Sequence, residues 1–182
     1  MSPQNRKRVQ LVAVAGVFLA PMLIAFGLHL ANWQPTNKRN NGTLIQPPQS
    51  VAADAATLPD GAAYHWDDTE FRWTLVVIAG PDCAAVCEGR IAEADKIWSL
   101  MTQKATRLRL AAIGVEATPA LREKYPRIEF VRSDSAPLAK LRPTTPDSAT
   151  AAIVDPAGLL MLRYEAGYDP AGVRQDLSRL IR

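Results

Sequence analysis

One long apolar run near the N-terminus divides this chain into parts that must fold in different surroundings. The run extends from Leu11 to Ala31, includes His29 as its only strongly polar residue, and follows the basic cluster Arg6–Arg8. A helix of this length spans about 30 Å, the thickness of the hydrocarbon core of a bilayer. Because the run exceeds the apolar part of a cleavable signal peptide and no A-x-A pattern follows it, we expect an uncleaved transmembrane anchor over residues 9–31.

The flanking charges predict the orientation of this anchor. Basic residues cluster in segment 1–8, and such clusters stay on the cytoplasmic side of a membrane, although Lys38 and Arg39 follow on the far side. We therefore expect a single-pass protein of the bacterial inner membrane, with segment 1–8 in the cytoplasm and the rest of the chain in the periplasm. Cysteines in that compartment can be oxidised.

Composition changes again after the anchor. Stretches 34–43 and 46–49 are rich in Pro, Asn and Gln and have little apolar content, which predicts a polar linker over residues 32–68. Segment 69–182 is long enough for one domain with its own core. The net charge is only +3 and the basic residues are scattered, so we expect no nucleic acid among the partners.

Segment 69–182 alternates between strand and helix patterns. Continuous apolar runs at 73–79 and 108–115 predict buried strands, and a helical periodicity over 84–104 lies between them. The further elements are a short helix capped by Thr118, a strand at 128–131, a hairpin of 151–154 and 159–164 that turns at Asp155–Gly158, and a final helix after Asp169–Pro170. This order predicts an α/β, thioredoxin-like domain, with a central mixed sheet flanked by helices.

The two cysteines of the chain, Cys83 and Cys87, directly follow the first buried strand. At the first turn of a helix, thiols face backbone N–H groups and the positive end of the helix dipole, which favour the thiolate. We expect Asp82 to cap this helix. Cysteines spaced in this way share one face of a helix and can close a disulfide or bind a soft metal ion such as Cu(I). Thiol–disulfide exchange, Cu(I) binding, a structural disulfide and two unpaired thiols all remain open.

A C-x3-C motif after a buried strand, in a membrane-anchored thioredoxin-like domain, resembles the Sco/SenC family of cytochrome c oxidase assembly proteins. That family binds copper through two cysteines and a histidine that precedes a strand ending in Asp-Pro-x-Gly. Here Asp155–Gly158 matches that ending, and Asp147 stands where the histidine is expected. The resemblance implies Cys83 and Cys87 as redox-active or Cu(I)-binding residues, whereas the hard carboxylate of Asp147 is a poor ligand for Cu(I).

The resemblance also implies a biological role. It suggests assistance in assembling the copper centre of a respiratory oxidase, with copper as the one implied cofactor and oxidase subunit II or another assembly factor as the partner. The missing histidine favours partner-specific thiol–disulfide exchange or transient Cu(I) transfer, with Cys83 as nucleophile and Cys87 as resolving thiol. At most, the protein is a partner-specific oxidoreductase. The alternative is a non-catalytic scaffold that has a structural disulfide and docks onto an oxidase subunit.

Two other polar features need an interpretation. His65 is the one histidine beyond the apolar run, and we expect it on a surface loop rather than at a metal. The acidic cluster of Asp67, Asp68 and Glu70 is expected to form a solvated face.

Overall fold

The computed structural model describes residues 3–31 and 40–181. The chain divides into two compact units, residues 1–39 and residues 40–182. The first part of the predicted linker, residues 32–39 with Lys38 and Arg39, lies outside the described residues.

The first unit contains one long helix, α1 (Pro3–Leu30). Its stretch Ala13–Leu30 comprises 18 residues with a mean hydropathy of 2.1 and no buried side chains. By length and composition this helix can cross a membrane, and it fits a single-pass anchor. Its orientation stays a prediction.

The second unit is built on a seven-stranded mixed sheet. Its strands are β1 (Thr43–Ser50), β2 (Ala56–Thr57), β3 (Trp73–Ala79), β4 (Leu108–Ile113), β5 (Ile128–Ser133), β6 (Ala149–Val154) and β7 (Leu159–Tyr164). They lie in the order β1-β7-β6-β3-β4-β5-β2. The central strands β3, β4 and β5 are parallel, β6, β7 and β1 continue the sheet in antiparallel fashion, and β2 pairs antiparallel with β5.

Helices lie between the strands from β3 onward and after β7. They are α2 (Ala85–Leu100), a 3₁₀ helix (Thr102–Arg107), α3 (Pro119–Lys124), α4 (Ala136–Ala139) and α5 (Pro170–Leu180). Among them, α2, α3 and α5 follow the predicted order, whereas α4 was not predicted and the 3₁₀ helix replaces the end of the predicted helix 84–104. The side chain of Thr118 caps α3 and that of Asp169 caps α5, each followed by a proline whose missing N–H is not needed in the first turn. The thioredoxin-like arrangement is therefore confirmed.

Each face of the sheet is covered by its own apolar core. On one face, Leu75 and Val77 of β3 pack in the same core as buried residues of α2 and α5. On the other face, Val76 and Ile78 share a core with Trp66 and Leu138. Because β3 is buried on both faces, its sequence is a continuous apolar run rather than an alternating one.

The folded domain begins earlier than the sequence indicates. The predicted boundary was wrong. The sequence predicts a linker over residues 32–68 and a domain that starts at Thr69, whereas residues from Asn40 onward belong to the second unit. Strand β1 pairs antiparallel with β7, and Val51 and Trp66 are fully buried. β1 is an edge strand whose side chains are mostly exposed, so it lacks the apolar pattern from which strands are predicted.

The prediction of a solvated acidic face is wrong for one of its three residues, because Asp68 is buried. Its carboxylate accepts hydrogen bonds from Arg72 Nε at 3.0 Å, from Arg109 at 3.1 Å and from the Glu70 backbone N–H at 2.7 Å. Burial raises the pKa of the Asp68 carboxyl, but the hydrogen bonds from Arg72 and from the backbone outweigh it and lower that pKa. Asp67 and Glu70 are exposed, as expected.

Candidate redox site

The two cysteines lie where β3 ends and α2 begins, and they form a disulfide with a Cα–Cα distance of 5.2 Å. Cys87 belongs to the first turn of α2 and is completely buried against the core beneath that helix. Cys83 precedes the helix and is only partly buried. The sulfur pair is therefore approached from the Cys83 side.

A second loop, residues 143–148, lies against the cysteine turn. The Gly80 backbone N–H donates to the Ser148 carbonyl at 2.8 Å, and the Asp147 N–H donates to the Pro81 carbonyl at 3.0 Å. A Cβ atom at Gly80 would lie only 2.7 Å from the Thr145 carbonyl oxygen. Glycine at this position thus permits the close approach of the two loops.

Asp147 provides the cap of α2. Its Oδ1 accepts hydrogen bonds from the backbone N–H groups of Ala84 at 2.8 Å and Cys87 at 2.9 Å, and its Oδ2 accepts from Val86 at 3.1 Å. These bonds, led by those from Cys87 and Val86, lower the pKa of the Asp147 carboxyl. Asp147 therefore satisfies three of the N–H groups that the start of a helix leaves unpaired.

The predicted cap, Asp82, does not have that role. Ala84 is the N-cap residue and has no side-chain cap of its own, and Asp82 is exposed with a positive φ of 51°. Asp147 also has a positive φ, 48°. The cap comes from a residue more than sixty positions away, which no local pattern around the cysteines indicates.

The residues at the site do not fit a resident copper ion held by three ligands. Both cysteine sulfurs are bonded to each other, and Asp147 Oδ1 already accepts two hydrogen bonds. Carboxylate oxygen is in any case a poor ligand for Cu(I). Within residues 3–31 and 40–181, no group of three or more His, Cys, Asp or Glu side chains is arranged to hold a metal ion.

His65 lies far from the cysteines. It is exposed on a loop, and its carbonyl accepts a hydrogen bond from Arg109, the second residue of β4. β3 and β4 are parallel, so Arg109 marks the edge of the sheet opposite to the one from which Cys83 follows. A strand as long as β3 separates these edges by about 20 Å. The structure thus places His65 on the surface, as predicted, and away from the site.

A charged pair that the sequence analysis did not identify flanks Cys87. Lys124 Nζ donates to Glu88 Oε1 at 2.6 Å, and the Tyr125 hydroxyl donates to the same oxygen at 3.4 Å. The hydrogen bond from Lys124 is the main reason why the pKa of the Glu88 carboxyl is lowered. Glu88 therefore stays an ionised partner of Lys124 and is poorly suited to take a proton from a thiol.

The outer surface of the cysteine turn is apolar. Ala84 and Ala85 are exposed, and Val86 is 58% exposed, an unusual position for a large aliphatic side chain. A partner that reaches the sulfur of Cys83 would contact this small apolar rim.

Comparison with known protein families supports the fold. The family model described as "Transmembrane-like, thioredoxin-like, C-terminal domain" matches residues 73–182, which is more than half of the chain. No curated protein sequence matches the chain significantly.

Solved structures share the fold at low sequence identity. A SCO1/SenC family lipoprotein from Bacillus anthracis str. Ames is 14% identical, with a TM-score of 0.52 over 76% of this chain and 99% of that chain. Copper-bound ScoI from Arabidopsis thaliana is 12% identical, with a TM-score of 0.51 over 78% and 98%. A putative thiol:disulfide interchange protein DsbE from Chlorobium tepidum is 13% identical, with a TM-score of 0.50 over 74% and 94%.

At these identities the solved structures establish the fold alone. Sco/SenC proteins are among the structural neighbours, so the resemblance noted in the sequence is confirmed at the level of the fold. The match of the family model over residues 73–182 shows that this chain belongs to the transmembrane-like, thioredoxin-like C-terminal domain family.

Proposed function

We propose that this protein is a membrane-anchored thioredoxin-like factor that assists the assembly of the copper centre of a respiratory cytochrome c oxidase. The observation that carries the proposal is the Cys83–Cys87 disulfide at the start of α2, with Cys83 partly accessible and Cys87 buried behind it. The likeness of the fold to Sco/SenC proteins and the apolar helix α1 support it.

Thiol–disulfide exchange is the chemistry that the pair suits best. The thiolate of reduced Cys83 attacks one sulfur of a partner disulfide, forms a mixed disulfide and expels the first partner thiolate. Cys87 Sγ then attacks Cys83 Sγ, which closes the internal disulfide and expels the second partner thiolate. Two electrons pass to the partner, and the two protons released by the cysteine thiols end on the partner thiols. The more accessible Cys83 is the nucleophile in this scheme.

Transient copper transfer is the second chemistry of the same pair. Once reduced, two thiolates on one helical turn can hold Cu(I) as cargo, because thiolates are the soft ligands that Cu(I) prefers. A two-sulfur site without a histidine favours release over storage. The partner would be oxidase subunit II or another assembly factor, met in the periplasm by a domain whose N-terminal segment stays in the cytoplasm.

One observation favours a different role. Cys87 is completely buried in the core beneath α2, which is the usual environment of a structural disulfide. In that case the domain is a non-catalytic scaffold that docks onto an oxidase subunit. The reduction potential of the pair distinguishes the two roles, because structural disulfides have potentials below about −300 mV and working ones lie above that value.

The test uses the full chain in detergent. We expect a reversible disulfide with a potential above about −300 mV, and electron transfer from the reduced protein to a disulfide-bonded soluble domain of oxidase subunit II. Cys83→Ser should abolish that transfer. Ala85→Ser, an exposed position on the same turn, is the matched control and should leave it intact.

A Cu(I) titration of the reduced protein completes this test. Tighter binding by the wild type than by Cys83→Ser supports copper transfer. A disulfide that dithiols do not reduce, in a protein that still binds the oxidase subunit, would instead establish the scaffold.

A further inference from the structure

We propose that Asp147 is a positioning residue that makes the Cys83–Cys87 pair an electron donor, by occupying the backbone N–H groups that would otherwise stabilise a negatively charged cysteine sulfur. This inference rests on the proposed thiol–disulfide exchange and gives a structural reason for its direction. It explains why the protein reduces a partner disulfide rather than oxidising partner thiols.

The geometry at the start of α2 carries the argument. In thiol exchange, a reduced cysteine at a helix N-terminus is stabilised by the N–H groups of the first turn and by the positive end of the helix dipole. Here the N–H groups of Ala84, Val86 and Cys87 all donate to one carboxylate, at 2.8, 3.1 and 2.9 Å. Few donors of this turn are therefore left for the Cys83 sulfur.

The carboxylate is held in this position from its own loop. The Asp147 N–H donates to the Pro81 carbonyl, and the neighbouring Ser148 carbonyl accepts from Gly80, so the Asp147 backbone is tied to the segment that directly precedes Cys83. The Asp147 carboxylate could leave the cysteine turn only by breaking its three hydrogen bonds to the start of α2. In the disulfide form its negative charge therefore lies at the turn that contains the sulfur pair.

Three other charged groups lie around the turn. Asp82 is exposed and does not cap α2, so solvent screens its charge more strongly than that of Asp147. Lys124, on α3, is paired with Glu88. Arg142, which directly precedes the opposite loop, donates its Nε to the neutral Ala79 carbonyl and keeps its positive charge, but Asp147 contacts the turn itself through Ala84 and Cys87.

The effect of Asp147 on the redox equilibrium follows from these charges. The disulfide is neutral, whereas the reduced pair is negatively charged to the extent that a cysteine is ionised, so a nearby carboxylate destabilises the reduced form selectively. The balanced reaction favoured by Asp147 is therefore that of the protein dithiol with a partner disulfide, which gives the protein disulfide and the partner dithiol. A separate dithiol protein must reduce Cys83–Cys87 again for each further turnover.

The experiment compares redox equilibria at one pH. The full chain in detergent is equilibrated with mixtures of reduced and oxidised dithiothreitol, and the fraction of disulfide is measured by the mass added on thiol alkylation. Asp147→Asn removes the charge and keeps a side chain that tolerates the positive φ. We expect its equilibrium constant for disulfide formation to fall about tenfold, which corresponds to about 30 mV in potential.

Asp82→Asn is the matched control, because it removes the same charge from a residue of similar φ that gives no cap to α2. The equilibrium constant for disulfide formation should change less than about twofold in this variant, compared with the fall of about tenfold expected for Asp147→Asn. A purely structural role of Asp147 would lower the stability of the oxidised and reduced forms equally and leave the equilibrium constant unchanged. Thermal unfolding of the oxidised and reduced forms measures this contribution to stability separately. If Asp147→Asn does not fold, Asp147→Ser takes its place.

Each outcome decides the matter. A fall in the constant for Asp147→Asn that Asp82→Asn does not share supports the inference. An unchanged constant, a rise, or an equal fall in both variants overturns it while leaving thiol exchange in place. A wild-type disulfide that dithiothreitol cannot reduce overturns the proposed exchange itself and this inference with it.

Discussion

At the residue scale, three carboxylates organise this domain through their hydrogen bonds, and two of them, Asp68 and Asp176, are buried. Asp68, Asp147 and Asp176 each accept several hydrogen bonds from segments that are distant in sequence or in a different loop. None of these roles is visible in the sequence, because an aspartate in a polar stretch has the same local pattern whether it is solvated or holds two segments together. Asp67 and Asp68 are neighbours in the sequence, yet Asp67 is exposed and Asp68 is buried.

Asp68 leads to a prediction for acid stability. Its pKa in the folded protein is lowered, so its contribution to stability is present above the pKa of an unfolded aspartate, about 4, and is lost as the pH falls through the folded value. Asp68→Asn should therefore lower the free energy of unfolding at pH 7 by about 1–3 kcal/mol. It should also flatten the decline of that free energy below pH 4.

The measurement is chemical denaturation of the full chain in detergent across this pH range. The exposed Asp67→Asn is the control and should follow the wild type. Equal pH profiles for wild type and Asp68→Asn would show that the ion pairs of Asp68 with Arg72 and Arg109 do not stabilise the fold.

At the scale of elements, the strands with many buried side chains could be predicted. β3, β4 and β6 have apolar sequences because the sheet is covered on each side, β7 alternates between buried and more exposed side chains, and all four were expected close to their observed positions. β1 could not be predicted, since an exposed edge strand is held by backbone hydrogen bonds to β7 rather than by apolar side chains. The spacing of the cysteines allowed a disulfide as one of several possibilities, whereas the role of Asp147 as the cap of α2 was not predicted.

The attachment of β1 depends on one side chain of α5. Asp176 is 1% exposed, and its Oδ2 accepts from the N–H groups of Asn41 at 2.7 Å and Gly42 at 2.9 Å and from the Tyr164 hydroxyl at 2.9 Å. These bonds hold the residues that immediately precede β1. Asp176 therefore fixes the place at which the chain enters the sheet.

Replacing Asp176 should destabilise the domain strongly. Asp176→Ala leaves the Tyr164 hydroxyl and two backbone N–H groups without their acceptor, and we expect a loss of about 3 kcal/mol or more in the free energy of unfolding. Arg174→Ala, at an exposed position on the same helix, should change it by less than about 0.5 kcal/mol. Hydrogen exchange at Thr43 and Leu44 should accelerate in Asp176→Ala alone. Unchanged exchange there would mean that pairing with β7 suffices to hold β1.

At the scale of the whole molecule, the decisive question is where the folded domain begins. The sequence indicates Thr69, whereas the compact unit starts at Asn40. The additional residues supply β1 and β2 and also Val51 and Trp66, which are both completely buried in the core on one face of the sheet. Without them, Val76 and Ile78 of the central strand would lose much of their cover.

Two truncated chains test whether the domain begins at residue 40 or at residue 69. Removal of a buried tryptophan alone costs about 3–5 kcal/mol, and a domain of this kind is stable by only about 5–15 kcal/mol. Residues 40–182 should therefore unfold cooperatively and retain the disulfide, while residues 69–182 should show no cooperative transition and should aggregate through the uncovered face of the sheet. Thermal unfolding followed by circular dichroism, with size-exclusion chromatography, checks both. A folded, monomeric 69–182 fragment would mean that the domain folds without β1, β2 and Trp66.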